Sequence, residues 1–182
     1  MEEKKLANPA PLGLSGFALT TFLLSMINAG WFSGSNMPIV LACAFAFGGT
    51  AQFAAGIMEM PRGNSFGTVA FCGYGAFWWS FALFVLLFSK GVTGAFIGWY
   101  LFLWGLFTMF MWIASLKKPT ALMLIFLFLT ATFYLLAMGV WTGAAMISVI
   151  GGYFGLITAL LAFYLAAAES INESWGKTVL PV

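Results

Sequence analysis

Six long apolar stretches occupy almost all of this 182-residue chain, and none of them carries an ionisable side chain near its middle. A helix needs about 20 mainly apolar residues to cross the hydrocarbon core of a bilayer. Inside lipid, every backbone polar group must find a partner within the chain, which favours helices for runs of this length. The sequence therefore predicts an all-α membrane protein, a bundle of six transmembrane helices.

The low charge content supports a single integral membrane domain over residues 1–182. The chain is 63% hydrophobic and only 7% charged, whereas a soluble domain of this length has roughly a quarter of its residues charged. Short connections between the spans make neighbouring helices antiparallel. The predicted spans are 11–31, 37–59, 66–88, 93–115, 120–138 and 144–168.

The basic side chains predict the orientation of the bundle. Lys90 alone falls at the end opposite the two termini, and the other basic residues of the loops and tails fall at the end of the termini. Those residues are Lys4, Lys5, Arg62, Lys117, Lys118 and Lys177. By the positive-inside rule both termini are expected in the cytoplasm, and an outer aromatic belt would contain Trp31, Trp99 and Trp141.

The residue types exclude several classes of function. The chain has no His and no Asp, so the usual general bases and metal ligands are missing, and we expect no enzyme, catalytic residue, metal or cofactor. A net charge of +2 gives no indication of nucleic-acid binding. Cys43 and Cys72 are interpreted as packing residues, and Glu59, with Arg62, and Glu169 as solvated helix ends.

The spans also lack the intramembrane carboxylate or histidine that proton-coupled transporters usually use. A path through this protein would be lined by amide, hydroxyl, backbone N–H and aromatic groups, which suits a small, weakly polar or monovalent solute. This favours a channel-like path over a titrating symporter. A proton-coupled symporter, a channel for water or urea, and a non-transporting sensor or assembly protein stay open as alternatives.

The first span begins with a distinctive segment, Asn8-Pro9-Ala10-Pro11-Leu12-Gly13-Leu14. Asn is a strong N-cap and Pro fits the first helical turn. The N–H groups of Leu12, Gly13 and Leu14 would then point out of the helix with its positive dipole end, and Gly13 would let a solute approach the backbone. The segment is either a site for a carboxylate or an ordinary capped helix start.

Polar and aromatic residues within the spans are candidates for lining a path. In the first span Thr21 and Asn28 share a face with Phe17 and Leu24, and Thr20 lies beside that face. In the second span Gln52 lies between Gly48 and Gly56 on one face. These polar groups either contact a solute or bond a neighbouring helix. The aromatic run from Tyr74 to Trp79 either packs the core or narrows a pore.

Several of these segments together resemble the acetate uptake transporter family, also called the succinate–acetate permeases. The seven-residue segment from Asn8 to Leu14 matches the signature of that family. Further similar segments are Gly63-Asn64-Ser65-Phe66-Gly67, Tyr74-Gly75-Ala76-Phe77-Trp78, and the run from Asn172-Glu173 through Gly176 to Pro181. The resemblance covers essentially the whole chain.

The resemblance implies a six-helix protomer with its own pore, assembled as a hexameric ring in the inner (plasma) membrane. It implies acetate and other small monocarboxylates as solutes, with succinate carried by some members. A hydrophobic constriction would fall on Phe17, Tyr74 and Leu129. Acetate contacts would fall on Asn8 through Leu14, and Gln52 matches an intramembrane Gln of the family.

Overall fold

The computed structural model describes residues 6–182, within which six helices are long and apolar enough to cross a membrane. We call them α1 to α6. Their bounds are Ala10–Asn28, Gly34–Arg62, Ser65–Phe88, Gly94–Ser115, Thr120–Thr142 and Ala145–Trp175. The prediction of an all-α chain with six such helices is confirmed. Lys4 and Lys5, used above to predict the orientation, lie outside the described residues.

The helix ends differ from the predicted ones where turns and caps decide them. α1 stops at Asn28 rather than at residue 31, because the chain turns at Gly30, whose φ is +77°. α5 continues to Thr142, where Gly143 ends it at φ +68°. α6 runs to Trp175 before Gly176 turns the chain at φ +63°. A helix end at residue 168 is therefore wrong, since the polar residues that follow are still helical.

The six helices form a closed ring. Each of the pairs α1–α2, α2–α3, α4–α5 and α5–α6 packs along the chain order, and α6 returns to pack against α1. The side between α3 and α4 is closed mainly by aromatic rings. Phe77 and Trp104 have ring centroids 5.0 Å apart, and Tyr74 and Phe107 have centroids 5.4 Å apart.

α2 widens into a π-helical segment, Ala44–Ala51, halfway along its length. Thr50 Oγ1 donates to the carbonyl of Phe45, 2.7 Å away and five residues earlier. Gly48 lies inside this segment, and a Cβ there would come within 2.7 Å of Thr20 Oγ1 and 2.9 Å of the Trp78 ring. The missing side chain thus lets α1, α2 and α3 meet closely at mid-bundle.

The bundle has two distinguishable ends. We call the end where α1 begins and α6 finishes the proximal end, and the opposite end the distal end. At the distal end the exposed rings of Trp99 and Trp141 lie 5.1 Å apart, and Trp31 Nε1 donates to Tyr153 Oη at 3.2 Å. This is the end where the aromatic belt was predicted.

Candidate functional site

Two cavities lie inside the ring, one toward each end. The proximal cavity has a volume of about 180 Å³ and the distal cavity about 260 Å³. Phe17 of α1, Tyr74 of α3 and Leu129 of α5 line both of them. We call these three residues the neck, because the two cavities meet at their side chains.

The neck presents hydrocarbon surface. Phe17, Tyr74 and Leu129 are only 5%, 3% and 4% exposed, and the rings of Phe17 and Tyr74 lie 5.6 Å apart. Tyr74 Oη donates to Thr108 Oγ1 at 2.9 Å, and Thr108 in turn donates to the carbonyl of Trp104 at 2.7 Å. Because Thr108 lines neither cavity, the polar end of Tyr74 is bonded away from the neck.

The proximal cavity contains one deeply buried amide. Gln52 of α2 is 1% exposed, and its Oε1 has no hydrogen-bond partner among the residues that the structure describes. A buried acceptor without a partner costs about 1–3 kcal/mol. This oxygen is therefore a site for a donor carried by water or by a solute.

Charged and polar side chains surround the proximal mouth, the end of the proximal cavity away from the neck. Glu59, Asn64, Lys118 and Glu169 all line this cavity. Glu59 Oε2 lies 3.4 Å from Arg62 Nε and accepts from Asn64 Nδ2 at 3.1 Å.

The interpretation of Glu59 and Glu169 as solvated helix ends is wrong. Glu59 is 1% exposed and Glu169 is half-buried, because both point into the bundle. Glu59 follows Gln52 by seven residues, a spacing that puts both on one face of a helix. That spacing was the signal that could have found the buried carboxylate.

The distal cavity is lined by neutral polar groups among aromatic and aliphatic side chains. Thr21 Oγ1 and Trp78 Nε1 are buried there and have no hydrogen-bond partner within residues 6–182. Ser25, Asn28 and Ser148 line the same cavity. The structure thus places Thr21 and Asn28, two of the predicted path residues, on one cavity wall.

Thr20 lies elsewhere. Its side chain is fully buried, donates to the carbonyl of Gly16 at 2.9 Å, and faces Gly48 of α2. It lines neither cavity, so Thr20 belongs to the helix contact rather than to the path.

The segment from Asn8 to Leu14 folds differently from the predicted open helix start. Pro9, not Asn8, is the N-cap of α1, although Asn8 Oδ1 still accepts from the N–H of Ala10 at 3.2 Å. The N–H of Gly13 donates to the carbonyl of Pro9 at 3.2 Å. A Cβ at Gly13 would lie 2.6 Å from the Phe71 ring. Solute access at Gly13 is therefore wrong, because the ring occupies that space.

Only two residues of this segment line the proximal cavity, namely Ala10 and Leu14. Pro9 is buried in the protein, Pro11 is half-buried, and Leu12 is 41% exposed and absent from both cavity walls. Asn8 contributes at the mouth, where its Nδ2 donates to Glu169 Oε2 at 2.9 Å. The segment therefore shapes the wall and mouth of the proximal cavity, and it does not present the row of free backbone N–H donors that was predicted.

No group of three or more His, Cys, Asp or Glu side chains that could hold a metal ion occurs within the described part of the chain. The polar groups that line the two cavities are amides, hydroxyls, an indole N–H, the Lys118 ammonium and the mouth carboxylates. These groups can hold, orient and exchange protons with a small polar solute.

Comparisons with known proteins give one family across the whole chain. The profile of the GPR1/FUN34/yaaH family matches residues 1–182. The succinate-acetate/proton symporter SatP of Escherichia coli strain K12 is 46% identical over 186 residues, which cover 100% of this chain and 98% of SatP. Acetate permease A of Emericella nidulans is 40% identical over 201 residues, covering 100% of this chain and 67% of the permease.

The fold also matches a solved structure, that of the bacterial acetate channel SatP. The TM-score is 0.93 at 44% sequence identity, and the match covers 98% of this chain and 99% of that one.

Proposed function

The chain belongs to the GPR1/FUN34/yaaH family, and from this premise we propose that it carries acetate and related small monocarboxylates across a membrane. Its solute path runs through the proximal cavity, the neck and the distal cavity. This multi-pass membrane protein resembles a symporter and a channel whose names both specify acetate.

The observation that carries the proposal is the arrangement of two cavities in series. Each is far larger than the roughly 15 Å³ needed to hold one water molecule, and they share only Phe17, Tyr74 and Leu129. A solute that leaves one cavity for the other must pass these three side chains. The neck therefore selects for a small solute with an apolar end, such as acetate.

Neutral polar groups on either side of the neck support the same proposal. Gln52 on the proximal side and Thr21, Asn28 and Trp78 on the distal side offer donors and acceptors in place of lost water. Transferring a polar group without such partners costs several kcal/mol. We propose these four residues as the solute contacts, with Ala10 and Leu14 of the signature as wall.

Uptake of labelled acetate by liposomes containing the purified chain tests this function. Acetate uptake well above that of protein-free liposomes, competed by unlabelled acetate but not by urea or glycerol, is the expected result. Competition by urea and glycerol alone would instead identify a channel for small neutral solutes. Varying the membrane potential at a fixed proton gradient separates an anion channel from a proton symporter.

We also propose that the proximal end faces the cytoplasm of a cell whose inner membrane contains this protein. Arg62, Lys117, Lys118 and Lys177 lie at or beyond helix ends on the proximal side, whereas Lys90 lies between α3 and α4 on the distal side. This asymmetry supports cytoplasmic termini.

We propose, finally, that protomers assemble as a hexameric ring in which each protomer keeps its own path. The path described here lies within one chain and needs no partner to complete it. The hexamer rests on the family resemblance. Native mass spectrometry of the detergent-solubilised protein tests it, and a monomeric protein would contradict it.

A further inference from the structure

Two carboxylates stand at the proximal mouth, and neither has a role in the path described so far. Glu59 of α2 and Glu169 of α6 line the same cavity through which an acetate anion would pass. Like charges at short distance in a partly dehydrated site repel. Arg62 and Lys118 at the same mouth offset part of this repulsion, and a proton taken up by one of the carboxylates would remove more of it.

The two carboxylates have different surroundings. Glu59 has a cationic partner, since its Oε2 lies 3.4 Å from Arg62 Nε. Glu169 makes no ion pair within the described residues, and its one side-chain hydrogen bond comes from the neutral amide of Asn8 at 2.9 Å.

Other charged groups lie near Glu169 without bonding it. Glu59 and Arg62 face it from α2, Glu173 follows one turn later in α6, and Lys118 lines the same cavity from the start of α5. A carboxylate that lacks a bonded cation and lies beside another carboxylate is the group at this mouth best suited to bind a proton.

A second, independent observation comes from Gln52, which lines the same cavity. Its buried Oε1 has no donor among the described residues. An acetate anion has only acceptors and cannot satisfy this oxygen. Acetic acid can, because its O–H donates to Oε1 while its carbonyl oxygen accepts from the Gln52 amide nitrogen.

Building on the acetate transport proposed above, we propose that Glu169 exchanges a proton with the solute at the proximal mouth, and that neutral acetic acid, bonded to Gln52, passes the neck. Toward the distal side, the O–H bond of the protonated Glu169 breaks and a new O–H bond forms on an acetate oxygen. The Glu169 carboxylate then takes a proton from the proximal solution through water at the mouth, and beyond the neck the acid releases its proton to water on the distal side. Toward the proximal side, the same steps run in reverse.

This sequence removes the largest barrier on the path. Phe17, Tyr74 and Leu129 offer no charge to an anion, and burying an unpaired carboxylate is far more costly than burying a neutral acid. One proton accompanies each acetate, so no net charge crosses the neck. The absence of a carboxylate at mid-membrane is then compatible with proton coupling, because the titrating group lies at the mouth.

The test uses liposomes that contain the purified full chain, labelled acetate, an internal pH dye and a membrane potential set by potassium and valinomycin. After subtraction of protein-free liposomes, the unaltered chain should carry about one proton per acetate at a rate independent of the potential. Glu169→Gln preserves the size and the bond to Asn8. It should lower proton-coupled uptake about a hundredfold, by analogy with the loss of a positioned proton donor.

Two variants serve as controls. Glu173→Gln removes an exposed carboxylate one turn away and should leave uptake unchanged. Glu169→Asp keeps a carboxylate and should retain one proton per acetate at a reduced rate. Gel filtration confirms that each variant is assembled before uptake is compared.

Proton-coupled uptake by Glu169→Gln at the unaltered rate would overturn the proposal, as would uptake by the unaltered chain that follows the potential without protons. A second test needs no variant: the unaltered protein is titrated with acetate in a calorimeter, in two buffers of different ionisation enthalpy. Proton uptake on binding is expected, and its absence would overturn the assignment. If the unaltered chain took up no acetate at all, the proposed function itself would be wrong, and this proposal with it.

Discussion

Tyr74 shows how one hydrogen bond sets the character of the neck. Its hydroxyl is bonded to Thr108, whose own proton is bonded to the carbonyl of Trp104. Thr108 can therefore only accept from Tyr74, which fixes the direction of the phenol proton. The ring is held with its polar end outside the path, because Thr108 lines neither cavity.

Replacing Thr108 by valine should release that ring. The change leaves the buried Tyr74 hydroxyl without a partner, which should lower the free energy of unfolding by about 1–3 kcal/mol. A ring free to turn its hydroxyl toward the neck should also weaken discrimination, so the ratio of lactate to acetate uptake should rise.

Thermal unfolding in detergent and liposome uptake measure the two effects of Thr108→Val. Thr130→Val is the matched control, because the Thr130 hydroxyl bonds only the Phe126 carbonyl of its own helix. Equal stability and equal uptake ratios in the two variants would show that Thr108 does not position Tyr74.

Leu129 is the one aliphatic residue of the neck, so its side chain can be shortened while both aromatic rings are kept. Leu129→Ala should widen the neck and raise lactate uptake relative to acetate, at a cost of about 2–5 kcal/mol in stability for a buried leucine. Leu122→Ala is the control, since Leu122 lies two turns earlier on α5 and lines the proximal cavity only. The same uptake ratio in both variants, with both folded, would remove Leu129 from the neck.

Residue types at helical spacing located part of the candidate site, and buried charges marked the limit of that reasoning. Gln52, Thr21 and Asn28 line cavities because their spacing puts them on inward faces. Glu59 was missed because a charged residue near a helix end is ordinarily solvated, although its spacing from Gln52 put it on the inward face. Its partners Arg62 and Asn64 lie at the end of α2 and just beyond it, where the spacing along one helix does not describe the contacts.

At the scale of the helix, α2 depends on its π-helical middle. The segment contains Gly48 and Gly49, and at both positions an added Cβ would collide with α1 or α3 side chains. The indole of Trp79 donates to the carbonyl of Phe45 at 3.3 Å in the same segment. The extra residue in the turn thus brings α2 close to its neighbours and leaves a carbonyl available to one of them.

Gly48→Ala should therefore be poorly tolerated. The added methyl group would meet Thr20 Oγ1 at 2.7 Å, and overpacking of this kind costs about 1–3 kcal/mol. Gly34→Ala in the first turn of the same helix meets nothing within 4 Å and should have little effect. Thermal unfolding of the two variants side by side measures the difference, and equal melting temperatures would contradict the tight contact at Gly48.

The sequence predicted the number of helices correctly but not where several of them end. Long apolar runs bounded by turn residues predict spans, because lipid requires the backbone to be internally bonded. The same rule does not say how far a helix continues beyond the lipid. α6 extends to Trp175 through polar residues, and it ends only where Gly176 adopts a left-handed conformation. The π segment of α2 was likewise not predicted, although it contains the adjacent glycines Gly48 and Gly49 that lie against α1 and α3.

At the scale of the whole molecule, the orientation is open to a direct test. In a variant lacking Cys43 and Cys72, Lys90→Cys at the distal end should react with a membrane-impermeant thiol reagent added to intact cells. Lys177→Cys at the proximal end should react only after the cells are permeabilised. The opposite labelling pattern would place the termini outside and contradict the proposed orientation.

Because the two cavities are joined by one neck, the proposed path behaves as resistances in series. Resistances in series add, so the narrow neck would limit the rate of transport, and the cavities would set only how often a solute reaches it. Substitutions at either mouth could then change which acids enter without changing the neck that selects among them. Conversely, the change of one methyl group at the neck could alter selectivity while both cavities stay as they are.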